Sequence, residues 1–366
     1  MNKELSNFAA RLRESIASGF QNENFEALAL ELFALQFKHN SPYRKICEAR
    51  KLTPQMIEHW TQIPFVPTSA FKELELTSLA PNERAAVFHS SGTTGQKSSR
   101  HFHCAESLAV YEASLWKWFE QGVFSNSKLK TQNLKLICLT PPPEQAPHSS
   151  LVHMFEIVRQ KTGRTSVPAS RAEFLGKLAA AGTWTLDFDA ALKTLRESVE
   201  QNRPLILLGT AFSFVHLMDF LAENNLQFHL PENSRIMETG GYKNRSRILT
   251  KIELHSLISE QLGISPEKII CEYGMSELSS QAYDSIQNLE RQFRFPPWVR
   301  AQIISPETGR EVFDGETGLI RIFDLANVFS VATIQTEDLA IRRGDGFELI
   351  GRAQLAEPRG CSLMTA

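Results

Sequence analysis

The densest run of reactive side chains is His89-Ser90-Ser91-Gly92-Thr93-Thr94-Gly95-Gln96-Lys97-Ser98-Ser99-Arg100. Gly92 and Gly95 let the backbone turn tightly and approach a ligand closely. Ser90, Ser91, Thr93 and Thr94 offer hydroxyl donors, and free backbone N–H groups can form an anion-binding nest. Lys97 and Arg100 add positive charge that suits phosphate. A Walker loop is excluded, because it needs Gly directly before Lys and Gln96 stands there. On composition alone the run reads equally well as a surface loop.

A second group, Glu272-Tyr273-Gly274-Met275-Ser276-Glu277, follows an apolar run that reads as a strand. Segments leaving the carboxyl ends of parallel strands are where α/β folds place ligands. A carboxylate there can hold Mg²⁺ together with substrate phosphates. A Tyr and a Ser beside it can stack on and hydrogen-bond a nucleotide. The same residues also suit a capped helix start. A third group comprises Thr336-Glu337-Asp338-Leu339, Asp345-Gly346 and Gly351-Arg352. Asp-Gly between strand-like runs reads as a hairpin turn, and an Asp at a strand end can accept hydrogen bonds from a ribose diol. Alone, this group reads as an ordinary hairpin.

Taken in this order, the three groups resemble the adenylate-forming enzymes, the superfamily of acyl-CoA synthetases, firefly luciferase and peptide-synthetase adenylation domains. The resemblance implies that the Ser90–Lys97 loop wraps the phosphates of ATP. It places Tyr273 against adenine, with Gly274 beside it, Ser276 on the α-phosphate and Glu277 on Mg²⁺. Thr336 and Asp338 match a Thr-Gly-Asp motif in which the Asp holds the ribose hydroxyls, and Glu337 stands where Gly is usual. Arg352 matches an Arg that also contacts ribose, and Gly240-Gly241 sits where a Gly-rich loop lines the nucleotide site.

A narrower resemblance is to the acyl-protein synthetase (LuxE-type) branch, the fatty-acid-activating component of bacterial bioluminescence reductase complexes. It is carried by Ser41-Pro42-Tyr43, Ile63-Pro64-Phe65-Val66-Pro67 with Phe71-Lys72, Pro147-His148-Ser149-Ser150-Leu151 and Arg359-Gly360-Cys361-Ser362-Leu363. It implies ATP-dependent activation of a long-chain fatty acid to acyl-AMP, with Lys97, Glu277 and Cys361 catalytic. Cys361 would take the acyl group as a thioester for an acyl-CoA-reductase-like partner. The residues themselves allow this. Cys361 lies nine positions beyond Arg352, a reach of roughly 30 Å at ~3.3 Å per residue, and thiols are intrinsically nucleophilic. A ligase that passes the acyl group to coenzyme A or a carrier protein is an alternative. A degenerate adenylate-binding module is another, supported by Glu337 and opposed by the intact Lys97 and Glu277.

Other candidates are weaker. Cys104, Cys138 and Cys271 lie in apolar contexts and read as core thiols. The five cysteines never form a CxxC pair, against a disulfide framework or structural zinc. His89, His103, His148 and His153 lack HxxxH or HExxH spacing, against a metal centre. His148, on a Pro-rich loop after a strand, is a candidate for lining a carboxylate site.

Positioning these groups requires an α/β framework. Apolar residues at spacings of three or four make the first seventy residues helical. Ser41-Pro42 and Thr53-Pro54 read as helix starts. Buried strands are expected at 134–139, 205–208 and 269–273, with a helix over 212–221, giving a largely parallel sheet. Short strands at 299–304, 318–323 and 347–350 suggest a smaller β-rich unit. The expected division is a helical subdomain (1–75), an α/β adenylate-forming core (76–295), a β-rich subdomain (296–352) and a tail (353–366) carrying Cys361. Members of the superfamily continue past the position of Arg352 into a small domain with a second catalytic Lys. That domain is expected to be missing among the 366 residues.

Lys plus Arg is 39 and Asp plus Glu 41, a net charge of −2, so no general pull toward nucleic acid exists. The most apolar stretch, Leu205 to Leu221, is interrupted by Gly209, Thr210, His216 and Asp219 and is short for a membrane span. A cytoplasmic protein is expected.

Overall fold

Apolar residues at i, i+3/4 spacing give α1 (Lys3–Ala17) a buried face of Leu5, Phe8, Leu12 and Ile16. α2 (Phe25–His39) and α3 (Ser41–Ala49) follow. The cap of α3 is not Ser41. It is Asn40, whose Oδ1 accepts the Tyr43 N–H at 3.2 Å while its amide donates to Ser330 O at 3.1 Å. Thr53-Pro54 starts only one 3-10 turn, Pro54–Met56. The computed structural model describes residues 2–90, 97–124, 134–162, 173–179, 183–240, 247–287 and 290–353.

The chain continues through β1 (Val66–Pro67), α4 (Ala70–Glu73) and the antiparallel hairpin of β2 (Ala86–His89) and β3 (Arg100–His103). Next come α5 (Ala105–Gly122), β4 (Lys135–Cys138), α6 (Ser150–Thr162), β5 (Glu173–Phe174), β6 (Gly176–Leu178), β7 (Trp184–Leu186) and α7 (Phe188–Glu200). β8 (Leu205–Thr210), α8 (Ala211–Glu223), β9 (Arg235–Thr239), α9 (Lys251–Leu262) and β10 (Ile269–Tyr273) complete the α/β alternation. The Leu205–Leu221 stretch is therefore a strand and a helix, with Thr210 ending one and capping the other. Among the described residues no helix is long and apolar enough to cross a membrane.

Period-two alternation builds the layers. Leu136, Cys138, Ile206, Leu208, Met237 and Ile270 face α5 and α6. Their neighbours Ile137, Leu139, Leu205, Leu207, Ile236 and Ile269 face α7, α8 and α9. Strands covered on both faces read as unbroken apolar runs, which is why β4, β8 and β10 stand out in the sequence.

The sheet runs parallel from β5 through β4, β8 and β9 to β10. β11 (Ala282–Gln287) turns back antiparallel on β10 and pairs with β12 (Glu290–Arg294). β13 (Val299–Ile304), β14 (Thr317–Asp324), β15 (Thr333–Arg343) and β16 (Gly346–Arg352) extend the same sheet, joined by Phe293↔Phe347 between β12 and β16. The parallel pairing expected of the strands at 134–139, 205–208 and 269–273 is present, and the strands beyond residue 295 form the β-rich part. The β15–β16 turn is Gly344-Asp345, one residue before the expected Asp345-Gly346, because Arg343 pairs with Gly346 and Gly344 takes φ +57°. β1 lies parallel to β15, and a large core of α1–α3 side chains covers β13–β15.

Candidate active site

The carboxyl ends of β9 and β10 form one wall. Gly240 follows β9 at φ +70°, a conformation open to glycine. Beside it the Thr239 hydroxyl donates to Oε2 of Glu272. Burial pushes the Glu272 carboxyl up to about 7; the Thr239 bond opposes that rise and the charge of Glu238 adds to it. A Cβ at Gly274 would meet Oε1 of Glu272, so a larger residue there would have to displace that buried carboxyl. No helix follows β10. Residues 274–281 run as an irregular segment into β11, and Ser276 to Gln281 are all buried.

A buried irregular segment must find partners for its polar groups elsewhere. Nδ1 of His101 donates to Ser276 O at 2.9 Å. Burial drives the His101 imidazole down to about 4, with that hydrogen bond partly offsetting the drop, so the ring is neutral. The Ser276 hydroxyl donates to Oε2 of Glu277 at 2.9 Å and lies 3.3 Å from the Ser99 hydroxyl. Ser99 in turn donates its N–H to Oγ of Ser90 at 2.9 Å. A continuous chain therefore runs from Ser90, at the base of the Ser/Thr/Gly loop, through Ser99 and Ser276 to Glu277. Among the described residues Oε1 of Glu277 makes no hydrogen bond.

The third motif joins on the other side of β10. The Tyr273 hydroxyl donates to Oδ2 of Asp338 at 2.8 Å, and Nε of Arg352 lies 3.4 Å from Oδ1. Phe293, Phe295 and Phe347 surround the Tyr273 ring at centroid distances of 6.1, 6.1 and 5.5 Å. Burial, with Asp338 beside it, keeps this phenol protonated. Asp338 is anchored by its own N–H, which donates to Oγ1 of Thr336 at 3.1 Å, while the Thr336 hydroxyl donates to Ile320 O at 2.9 Å. Glu337 lies exposed within β15, and Asp338 pairs with Arg352 across the ladder, so no special turn is needed where the superfamily has Gly.

Two sequence candidates lie apart from this chain of contacts. Lys97 pairs with Glu73 at 3.3 Å, both exposed. The His148 ring stacks on that of His89 at 4.7 Å, and its Nδ1 lies 3.1 Å from Val87 O, at the base of the β2–β3 hairpin. Ser91, Gly92, Thr93, Thr94, Gly95, Gly241 and Cys361 lie outside the described residues. Cys47, Cys104, Cys138 and Cys271 are buried free thiols, and Cys104 also caps α5. Among the described residues no three His, Cys, Asp or Glu side chains gather into a metal cage. A single carboxylate such as Glu277 fits Mg²⁺, which keeps waters and shares phosphate oxygens. Sequence reasoning missed Ser99, His101, Thr239, Asp324 and Asn327. The period-two pair His101 and His103 in a short strand was a usable signal.

The sequence profile of the family described as "Acyl-protein synthetase, LuxE" matches residues 15–366. The long-chain-fatty-acid–luciferin-component ligase of Aliivibrio fischeri is 24% identical over 367 residues, covering 94% of this chain and 89% of the relative. The ligase of the same name from Vibrio harveyi is 24% identical over 346 residues, covering 90% and 84%. Among solved structures, 2-hydroxyisobutyryl-CoA ligase with 2-HIB-AMP and CoA in the thioesterification state superposes with TM-score 0.65 at 12% identity, over 94% of this chain and 68% of that one. Its open conformation gives TM-score 0.63 at 14% identity, over 88% and 74%. These structural likenesses concern the fold.

Proposed function

Since the chain belongs to the acyl-protein synthetase family, we propose that it is an ATP-dependent ligase that activates a long-chain fatty acid and loads it onto its own Cys361. The observation that carries this reading is the hydrogen-bond chain that ties the three motifs together through Ser99–Ser276 and Tyr273–Asp338.

In the first half-reaction a carboxylate oxygen of the acid attacks the α-phosphorus of ATP. A new O–P bond forms, the α–β P–O bond breaks, and pyrophosphate leaves with the electron pair. Catalysis of this kind rests on alignment and charge neutralisation. The Ser90–Lys97 loop holds the phosphates, and Ser276 donates to the α-phosphate. Glu277 would hold Mg²⁺, which when bound neutralises phosphate charge. Tyr273, Gly274 and Gly240, together with Gly241 from the sequence motif, line adenine in this reading, and Asp338 and Arg352 bind the ribose. In this reading His148, at the hairpin base, borders the acid.

In the second half-reaction the Cys361 thiolate attacks the acyl carbonyl carbon. The C–O bond to AMP breaks, AMP leaves, and a thioester remains for transfer to an acyl-CoA-reductase-like protein. The family description, which names a protein as the acyl acceptor, supports this step.

The test is a denaturing gel after incubation with labelled long-chain acid and Mg·ATP. The reading expects label that survives denaturation, is released by hydroxylamine and is absent in Cys361→Ser. Pyrophosphate release with no labelled protein points to a free acceptor such as coenzyme A.

A further inference from the structure

The segment that carries Glu277 is gripped from behind by the connection between β14 and β15, which no motif includes. Asp324, at the end of β14, is fully buried, and among the described residues no cation pairs with it. A buried carboxylate needs donors. Oδ2 accepts Ser279 N–H at 2.9 Å, and Oδ1 accepts the Ser280 hydroxyl at 2.8 Å and Ala326 N–H at 2.9 Å.

Asn327, three residues on and also buried, uses both N–H donors of its amide and its oxygen. Nδ2 donates to Glu277 O at 2.9 Å and to Val331 O at 3.1 Å, and Oδ1 accepts the Ser279 hydroxyl at 2.6 Å. Two carbonyls on one side and a hydroxyl on the other fix the amide orientation. Gln36 of α2 braces the connection from outside, donating to Asn327 O at 2.8 Å and accepting Ala332 N–H at 3.1 Å. The backbone around Glu277 is therefore held at Ser276 O by His101, at Glu277 O by Asn327 and at Ser279 N by Asp324.

We propose that Asn327 and Asp324 are positioning residues for Glu277, fixing how far its carboxylate reaches toward a divalent metal by clamping the backbone at Glu277 and Ser279. The proposal rests on the reading of Glu277 as the metal ligand. Neither residue touches a substrate in this account. Partners that orient a metal ligand are worth about 10–100-fold in metal affinity.

The test reads metal binding directly. Mn²⁺ is titrated by paramagnetic resonance into the full chain with an ATP analogue whose α,β bridge is methylene. Asn327→Asp keeps the shape but faces two carbonyls with a carboxylate, and it is expected to weaken Mn²⁺ about tenfold or more, as is Asp324→Asn. Ser330→Ala, which removes a bond to Leu76 O on the far side of the same connection, is expected to lower the melting temperature without moving Mn²⁺ affinity. Should Asn327→Asp fail to fold, Ser279→Ala, which removes only the hydroxyl that orients the amide, is expected to weaken Mn²⁺ about threefold. Wild-type Mn²⁺ affinity in a folded Asn327 or Ser279 variant, alongside weak binding in Glu277→Gln, overturns the positioning role alone. Unchanged affinity in Glu277→Gln overturns the metal reading and the positioning role with it.

Discussion

The hydroxyl of Tyr273 donates a 2.8 Å hydrogen bond to Oδ2 of Asp338 across 65 residues of sequence, and on its other oxygen Asp338 faces Nε of Arg352. This contact ties the end of β10 to the middle of β15. It ties the residue proposed to lie against adenine to the one proposed to hold ribose. Tyr273→Phe removes one hydrogen bond, about 1 kcal/mol, so the KM for ATP should rise roughly fivefold with kcat little changed. Asp338→Ala removes the ribose acceptor as well and should raise it further. Pyrophosphate release against ATP concentration measures both.

Ser276 occupies a different place, between Ser99 and Glu277. Ser276→Ala severs the chain at its centre and removes the donor proposed for the α-phosphate. Its kcat for pyrophosphate release should fall about tenfold or more. Ser99→Ala leaves the Ser276–Glu277 bond in place and should cost less. The reverse ranking in single-turnover assays would contradict the assigned order.

His101 makes the fold acid-sensitive. Its folded value, about 4, lies below the ordinary 6.5, so on acidification the unfolded chain takes up the proton first. The neutral ring's contribution is complete above about pH 6.5 and is lost as pH falls toward about 4. His101→Asn keeps a donor for Ser276 O and removes the titration. Its urea midpoint should fall less steeply over that range than that of the unsubstituted chain.

Glu272 acts in the opposite sense. Its carboxyl, raised to about 7 from an ordinary 4.5 by burial, favours the protonated form in the fold. Its stabilising share is present below about pH 4.5 and is lost as pH rises through about 7. Glu272→Gln should therefore lose less stability than the unsubstituted chain between about pH 5 and pH 8, by roughly 3 kcal/mol at most. Denaturant melts at the two pH values check this.

The legible parts of the fold were those whose surroundings are uniform. β4, β8 and β10 each carry a run of apolar residues, Leu136–Cys138, Leu205–Leu208 and Ile269–Cys271, because helices cover both faces, and β13 matches its expected span, Val299–Ile304. β15 was illegible because Gln335, Glu337 and Asp338 interrupt its apolar pattern, and two of these lie in the third motif. β11 was hidden by Asp284, a buried carboxylate that Arg291 and Lys251 neutralise from other elements. The motif residues could be read because glycine, hydroxyl and carboxylate types mark phosphate and metal chemistry locally. Their connections could not, since Ser99 and Ser276 lie 177 residues apart. Asn327 stands in Leu325-Ala326-Asn327-Val328, outside every motif, and only its contact with Glu277 O gives it a part in the site.

The most direct measurement is acid-dependent exchange of labelled pyrophosphate into ATP, which reports the first half-reaction whatever the later acceptor. Long-chain fatty acids should drive exchange with the unsubstituted chain and with Cys361→Ser, and exchange should collapse in Glu277→Gln. No exchange with any long-chain acid, or undiminished exchange in a folded Glu277→Gln, would contradict the assignment of this site to ATP-dependent activation of a fatty acid.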